Sequence, residues 1–334
     1  MNKVAVVILN WNGQKFLEQF LPSVVNHSDN ARIIVADNNS TDNSIPFLKE
    51  HYPTVELIEL DHNFGFAGGY NNALKKVDSE YYVLLNSDVE VSKNWLTPMI
   101  ELLDSDQSIA ACQPKIKDYN NKECFEYAGA SGGFIDKYGY PFCRGRIFDS
   151  LEKDNNQYDN IEEIFWASGA SLFIRAKDYN NIGGLDEFFF AHMEEIDLCW
   201  RLKNQGKKIM VCPSSTVYHV GGGTLNKVNP HKTFLNFRNS LLTLHKNAPQ
   251  KERFSIIFIR LLLDGLAGLK FIISGKPSHT WAIIRAHFSF YGAISQNKTK
   301  RKTVNNPNLT GQINKSIVKG YYLDNCKSFN DFIK

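Results

Sequence analysis

Val4-Ala5-Val6-Val7-Ile8-Leu9-Asn10-Trp11-Asn12-Gly13 decides how the rest of the chain is read. Aliphatic, mostly β-branched residues run without a polar break and stop at Asn10, Asn12 and Gly13. The run is too short for a helix and suits a strand buried on both faces. Strands of that kind belong to a parallel sheet covered by helices. The pattern returns downstream. Arg32-Ile33-Ile34-Val35-Ala36 runs into Asp37-Asn38-Asn39-Ser40-Thr41-Asp42, and Tyr81-Tyr82-Val83-Leu84-Leu85 runs into Asn86-Ser87-Asp88. Val55 to Leu60 predicts another short strand. Between these, Lys15 to Val25 sets Phe16, Leu17, Phe20 and Leu21 at helical spacing, Ser44 to His51 predicts a helix, and Gly65 to Lys76 reads as a Gly-rich turn followed by a helix. The alternation predicts right-handed βαβ units and an α/β fold with a Rossmann-like, mainly parallel sheet flanked by helices. Ligands bind beyond the carboxyl ends of such strands. The clusters Asn10 to Asn12, Asp37 to Asp42 and Asn86 to Asp88 are therefore expected to share one crevice.

Composition bounds the function. The chain has 334 residues, 43% apolar and 22% charged. That is ordinary globular usage, and it excludes a wholly disordered, collagen-like or polytopic membrane chain. The net charge of +3 is too even to argue for nucleic acid, but it is unevenly placed. From residue 251 onward 14 basic and 4 acidic residues give +10, and the first 250 residues hold 24 basic and 31 acidic residues, or −7. An acidic body with a basic tail predicts a domain over 1–245 and a helical extension over 246–334 that meets anionic partners. The six cysteines form no CxxC pair, so they carry no zinc pattern. Scattered thiols, with Val4 to Leu9 too short for a signal-peptide core, fit a cytoplasmic setting.

The region from about 112 to 165 predicts loops and short strands around a pocket. Trp166 to Ile174 predicts a strand, as do Lys208 to Val211 and Thr216 to His219, the last leading into Gly221-Gly222-Gly223. Asp88, at a strand end, is placed to hold a divalent cation, and His219 could be a second ligand. The alternative is a capping Asp88 and a hydrogen-bonded buried His219. Glu194, Glu195 and Asp197 begin a helix candidate that runs to about Gln205 and is closed by Gly206. Glu194 and Asp197 share a face, with Glu195 about 100° away. A solvated acidic first turn is the plain reading. Against it, Phe188 to Phe190 precede the cluster and Leu198-Cys199-Trp200 follow, so half-burial is expected, which raises a carboxylate toward the range of a general base. Asn63 to Asn72 lacks G-x-G-x-x-G, and no G-x-x-x-x-G-K-[ST] occurs, which disfavours a nicotinamide dehydrogenase and a P-loop NTPase. Glycines such as Gly68 instead let backbone approach a ligand.

Together, Val6 to Asn12, Asp37 to Asp42, Asn63 to Gly69, Leu84 to Asp88, Gly184-Leu185-Asp186-Glu187, Glu194 to Leu198 and Phe237-Arg238-Asn239 resemble, in order and spacing, the family 2 glycosyltransferases of GT-A fold. The likeness covers about residues 3 to 245 and is strongest to the rhamnosyltransferase-like branch of surface-polysaccharide assembly. It implies a nucleotide-sugar donor, Mg²⁺ or Mn²⁺, and inversion at the anomeric carbon. By the resemblance Asp37 reads the nucleobase, Asn86-Ser87-Asp88 stands where the family has its DxD motif, and Asp88 with His219 holds the metal. Asn10, Asn12, Asn39, Asn63, Gly68 and Asn71 complete the donor set. Asn86 replaces an Asp that would contact ribose. Glu195 stands where the family has an Asp base, one methylene longer, with Glu194 in reserve and Asp186 orienting the acceptor. A misplacement of ~1 Å can cost ~10²-fold in rate.

Two other classes stay open at this point. One is a non-catalytic sugar-nucleotide-binding or scaffold subunit, suggested by Asn86 and Glu195. The other is a sugar nucleotidyltransferase, for which Gly13 and Lys15 give a thin phosphate loop. In the tail, Phe254 to Gly275 is apolar but contains Arg260, Asp264 and Lys270, which with Ser274 fall within an arc of about 120°. This predicts an amphipathic helix, because central charges would each cost ~2.5–3.5 kcal/mol in a bilayer. Trp281 to Ile294 predicts a second, before the basic run Lys298, Lys300, Arg301 and Lys302. One expectation is peripheral contact with the inner face of the cell membrane, where a glycan or polyprenyl-linked acceptor resides. The other is packing on the catalytic domain or another subunit. Without interleaved aromatics the basic run does not fit nucleic acid.

Overall fold

The structure, a computed structural model, describes residues 3–221, 229–301, 304 and 307–334. Gly222, Gly223 and Lys302 lie outside the described residues. The first third builds the expected units: β1 (Val4–Asn10), α1 (Gln14–His27), β2 (Ala31–Asp37), α2 (Ser44–His51), β3 (Glu56–Glu59), α3 (Gly65–Leu74) and β4 (Tyr81–Asn86). Strands β4, β1, β2 and β3 are neighbours in that order and all parallel. The unbroken apolar run of β1 has a simple cause. Val4, Val6 and Ile8 pack under Leu17, Leu21 and Val24 of α1, whereas Ala5 and Val7 face Ala67, Tyr70 and Ala73 of α3. Both faces are dry, so neither alternate set is polar.

Next come β5 (Val89–Val91), α4 (Leu96–Ser105) and β6 (Ile109–Asp118), then the short strands β7 (Gly133–Asp136), β8 (Pro141–Cys143), β9 (Arg146–Ile147), β10 (Ser150–Leu151) and β11 (Glu162–Ile164). β12 (Ser171–Arg175), α5 (Ala176–Ile182), α6 (Glu194–Lys203) and β13 (Lys208–His219) complete the main sheet, whose order is β11-β13-β6-β12-β4-β1-β2-β3 with β5 on β13. β12 runs antiparallel to both β4 and β6, so the sheet is mixed beyond its parallel half. Two expectations are corrected here. Trp166 to Ala170 is not strand: Ser168 N–H bonds to Gln113 Oε1 (2.9 Å) and Ser168 Oγ bonds to the Ala128 carbonyl (2.5 Å). These side-chain bonds replace the ladder there. Lys208 to His219 is one strand, irregular between Cys212 and Thr216.

The helices α7 (Pro230–Asn247), α8 (Gln250–Ile273) and α9 (Pro277–Thr299) follow, then β14 (Gln312–Ile313), α10 (Ile317–Tyr322) and α11 (Phe329–Ile333). The boundary expected at 245/246 falls inside α7. The end of the chain also returns to the body. β14 adds to β7 in a second sheet ordered β10-β9-β8-β7-β14, and Phe329 packs 4.8 Å, centroid to centroid, from Phe134. Apolar residues in this last stretch need a core to bury them, and the second sheet supplies it.

Candidate active site

The polar strand ends are tied to one another. Register places Asn10 beside Asp37 and Leu9 beside Asn86. Asn10 Nδ2 donates to Asp37 Oδ1 (2.9 Å) and Ser40 N–H to Asp37 Oδ2 (2.8 Å), and Asp37 is buried. Its carboxylate thus braces the loop after β2. Asn12, with φ of +51°, accepts from Thr41 N–H at 2.7 Å, while Asn39, with φ of +62°, is exposed on the same loop. Asn38 joins this loop to the next, donating to Asn63 Oδ1 and to the Gly65 carbonyl, both at 3.0 Å. At Gly68 a Cβ would stand 2.9 Å from that of Phe64, so close packing fixes glycine there. Ser87 lies beside Gly13, whose absent Cβ would come within 3.7 Å of Ser87 Oγ.

Pairing of β5 with β13 carries His219 over Asp88, 131 residues away in sequence. His219 Nε2 lies 3.1 Å from Asp88 Oδ1 and 3.3 Å from Asn86 Nδ2, and Nδ1 is 3.5 Å from Glu126 Oε1. Burial lowers the His219 pKa, but the Asp88 and Glu126 carboxylates outweigh it and raise it to about 10. With the imidazole in its neutral form, its nitrogen and the neighbouring carboxylate oxygen are a donor set that suits Mn²⁺ better than Mg²⁺. Among the described residues no group of three or more His, Cys, Asp or Glu is arranged to hold a metal. Two donors from the chain leave most of a cation's shell to water or substrate oxygens, the usual arrangement for such ions.

The third component is the start of α6. Phe190, His192 and Met193 have φ of +63°, +69° and +73°, a costly run for non-glycine residues. Asn239 on α7 holds it, its Nδ2 lying 3.0, 2.9 and 2.8 Å from the carbonyl oxygens of Phe189, Ala191 and His192. Phe66 N–H on α3 donates to the Phe190 carbonyl at 2.7 Å. Glu194 and Glu195 begin the helix there. Each has an Oε2 that is buried with no hydrogen-bond partner. Burial, then the Glu195 charge, pushes Glu194 well above the usual carboxylate range, and burial lifts Glu195 to about 7. Glu195 adjoins the end of β4 through one loop: a Cβ on Gly169 would sit 3.8 Å from Glu195 Cβ, and Asn86 N–H donates to the next carbonyl, Ala170, at 3.0 Å.

Two expected site residues are placed elsewhere. Asn71 has its amide engaged, with Nδ2 donating to the Leu185 carbonyl (2.9 Å) and Oδ1 accepting from Tyr179 Oη (2.6 Å). Asp186, expected to orient an acceptor, has its side chain largely covered between Lys246 Nζ (2.6 Å) and Lys300 Nζ (2.5 Å). Burial would raise its pKa, but these ammonium groups hold it at about 2. Both residues line a cavity of about 570 Å³ that Asp37, Asp88 and Glu195 do not line. Sequence reasoning missed the roles of Glu126, Asn239, Lys246 and Lys300. Only Asn239 carried a signal, in Phe237-Arg238-Asn239.

A mixed, mainly parallel sheet whose polar strand ends gather beside a carboxylate–imidazole pair is a GT-A fold, and solved glycosyltransferase structures share it. Staphylococcus aureus TarS 1-349 in complex with UDP-GlcNAc has a TM-score of 0.58 at 15% identity, over 90% of this chain and 84% of that one. GalNAc-T7 with UDP, GalNAc and Mn²⁺ has 0.59 at 16% identity, over 74% of this chain and 48% of that one. Residues 5–178 match the model of glycosyl transferase family 2, and the chain belongs to that family. It is similar to the N-acetylglucosaminyl-diphospho-decaprenol L-rhamnosyltransferase of Mycobacterium tuberculosis, with 24% identity over 64% of this chain and 75% of that protein. It is also similar to the rhamnosyltransferase WbbL of Escherichia coli, with 21% identity over 65% and 83%. The chain is a family 2 glycosyltransferase, and the scaffold and nucleotidyltransferase alternatives fall away.

Proposed function

We propose that this enzyme moves a sugar, rhamnose from dTDP-rhamnose, to a hydroxyl of a surface-polysaccharide or polyprenyl-linked acceptor at the cytoplasmic face of a membrane, with inversion. The observation that carries the reading is Glu195. Its carboxylate is partly buried, has an unpartnered oxygen and is raised to about 7, beside the end of the strand that leads to Asp88. Glu195 takes the proton of the acceptor hydroxyl. The freed oxygen attacks the anomeric carbon on the face opposite the diphosphate, and the bond to the diphosphate oxygen breaks. One displacement inverts the centre and needs no second nucleophilic carboxylate. The residues braced around Asn10, Asp37, Asn39 and Asn63 receive the nucleotide. Asp88 and His219 would hold the Mg²⁺ or Mn²⁺, which supplies charge neutralisation for the leaving diphosphate.

The sugar and acceptor class come from the similarity to the two rhamnosyltransferases. The test is transfer from a panel of nucleotide sugars with Mn²⁺, comparing wild type with Glu195→Gln. The variant is expected to lose about 10²–10⁴-fold in rate while still binding the nucleotide. Undiminished transfer by Glu195→Gln would move the base elsewhere, and Glu194→Gln is the next variant to measure.

A further inference from the structure

Helix α8 is turned inside out. Its inward ridge is Ile256, Arg260, Asp264 and Gly268, and both charges are buried. Arg260 donates to Ser240 Oγ (2.6 Å) and to the Tyr138 carbonyl (3.1 Å), and Asp264 lies 3.1 Å from His287 Nε2 on α9. The opposite ridge of Phe254, Phe258, Leu262, Leu266, Leu269 and Ile273 faces outward, from 53% to 84% exposed. Helix α9 continues the surface with Trp281, Ile284, Phe288 and Tyr291, also exposed. The two helices are joined side by side, Thr280 Oγ1 donating to the Gly268 carbonyl at 2.7 Å. At 1.5 Å per residue, the ridge from Phe254 to Ile273 is about 29 Å long. A continuous patch of this size marks an interaction site.

We infer that the outer face of α8 and α9 docks the enzyme on an anionic lipid surface, lying in the plane of the headgroups. Two observations choose the occupant. The exposed charges of α8, α9 and the turn between them are Lys251, Lys270, Lys276, Arg285 and Lys298, against Glu252 alone. That rim complements acidic headgroups, which attract basic residues near the bilayer surface. It would repel a second copy carrying the same rim. Among the described residues, no helix is long and apolar enough to cross a membrane, so the face lies on the bilayer. The inference deepens the reading of a lipid-linked acceptor and rests on it only for its benefit: the enzyme would be held in the plane where the acceptor diffuses. Docking itself involves no donor, metal or turnover.

The test is flotation of the full chain with vesicles of phosphatidylcholine alone and of phosphatidylcholine mixed with phosphatidylglycerol. The wild type is expected to float with the acidic vesicles at least ten times better than with the neutral ones. The triple variant Phe258→Ser/Leu262→Ser/Phe288→Ser is expected to lose at least tenfold in bound fraction on acidic vesicles, and Lys276→Glu/Arg285→Glu to lose the preference for them. All these side chains are exposed or rim groups, and unchanged thermal melting would show that the fold is intact. Wild type that stays unbound to both vesicles overturns the inference, as does a triple variant that floats like wild type. Sedimentation showing a wild-type dimer that the triple variant turns into monomer would also overturn it, assigning the face to a second copy. Loss of sugar transfer by wild type with flotation intact would strike the proposed reaction and leave the docking face standing.

Discussion

At Glu195 one carboxylate meets opposed forces. The start of a helix favours its charged form, and burial beside Gly169 and Phe66 disfavours it. Burial wins, with the pKa raised from 4.5 to about 7. A base at that value is half-ionised near neutrality, so the transfer rate is expected to rise with pH and level off above about 7 in a pH–rate profile. The same shift makes a stability prediction of opposite slope. The folded state holds this proton more tightly than the unfolded chain does. The stabilising contribution is therefore complete below pH 4.5 and is lost as pH rises to about 7. Urea titrations at pH 5 and pH 8 should show wild type losing more stability than Glu195→Gln over that interval. Equal losses would mean that Glu195 is not the titrating group.

At the scale of elements, Glu194 and Glu195, the carboxylates proposed as base and reserve, depend on a loop that would not hold its shape alone. Phe190, His192 and Met193 stay in the left-handed region because Asn239 on α7 and Phe66 on α3 bind the carbonyl groups between them. Asn239→Ala leaves three carbonyl groups without that donor. It should cost about 1–3 kcal/mol in chemical denaturation. It should also lower kcat by about tenfold or more, because Glu195 loses its set position. A variant as stable and as fast as wild type would show that α3 alone suffices. The next turn of α6 has its own brace. Asp197 is bound by Arg201 (2.8 Å), Lys246 (2.9 Å) and Asn247 (2.7 Å), and Lys246 also reaches Asp186. Lys246→Met removes one of the cations from two carboxylates that keep Lys300 on Asp186 and Arg201 on Asp197. It should destabilise by about 1–3 kcal/mol, read from the denaturation midpoint.

For the molecule as a whole, the C-terminal quarter is structural as well as peripheral. Lys300, at the end of α9, closes on Asp186, Arg301 donates to the Ala248 carbonyl at 2.8 Å, and Phe329 and Phe332 fill the second sheet. A chain cut after residue 245 would shorten α7, remove Lys246 and strip the cover from Phe134 and Phe142. Its expected outcome is aggregation, with no cooperative melting transition and no transfer activity. A soluble, cooperatively melting fragment would instead restore the two-part organisation that composition suggested. Charge imbalance separated the halves on paper because it is summed along the chain, whereas packing joins residues through space.

The order and ends of β1, α1, β2, α2 and β4 were readable from residues alone, because a strand dry on both faces must be apolar throughout and must stop at polar, turn-forming residues. So was the polar strand end at Asp88. The Asp88–His219 pair was suggested by residue type and by the family resemblance, but only the pairing of β13 with β5 brings such distant residues into contact. The inward turn of Arg260 and Asp264 was illegible, because a helical wheel separates two faces without saying which one meets the protein. Asp186 looked available until Lys246 and Lys300 closed on it. Local sequence sets what each segment can be, through backbone preference and periodic apolarity. Which charged groups are neutralised, and which are left to react, is fixed by contacts between distant segments that form only when the whole chain packs.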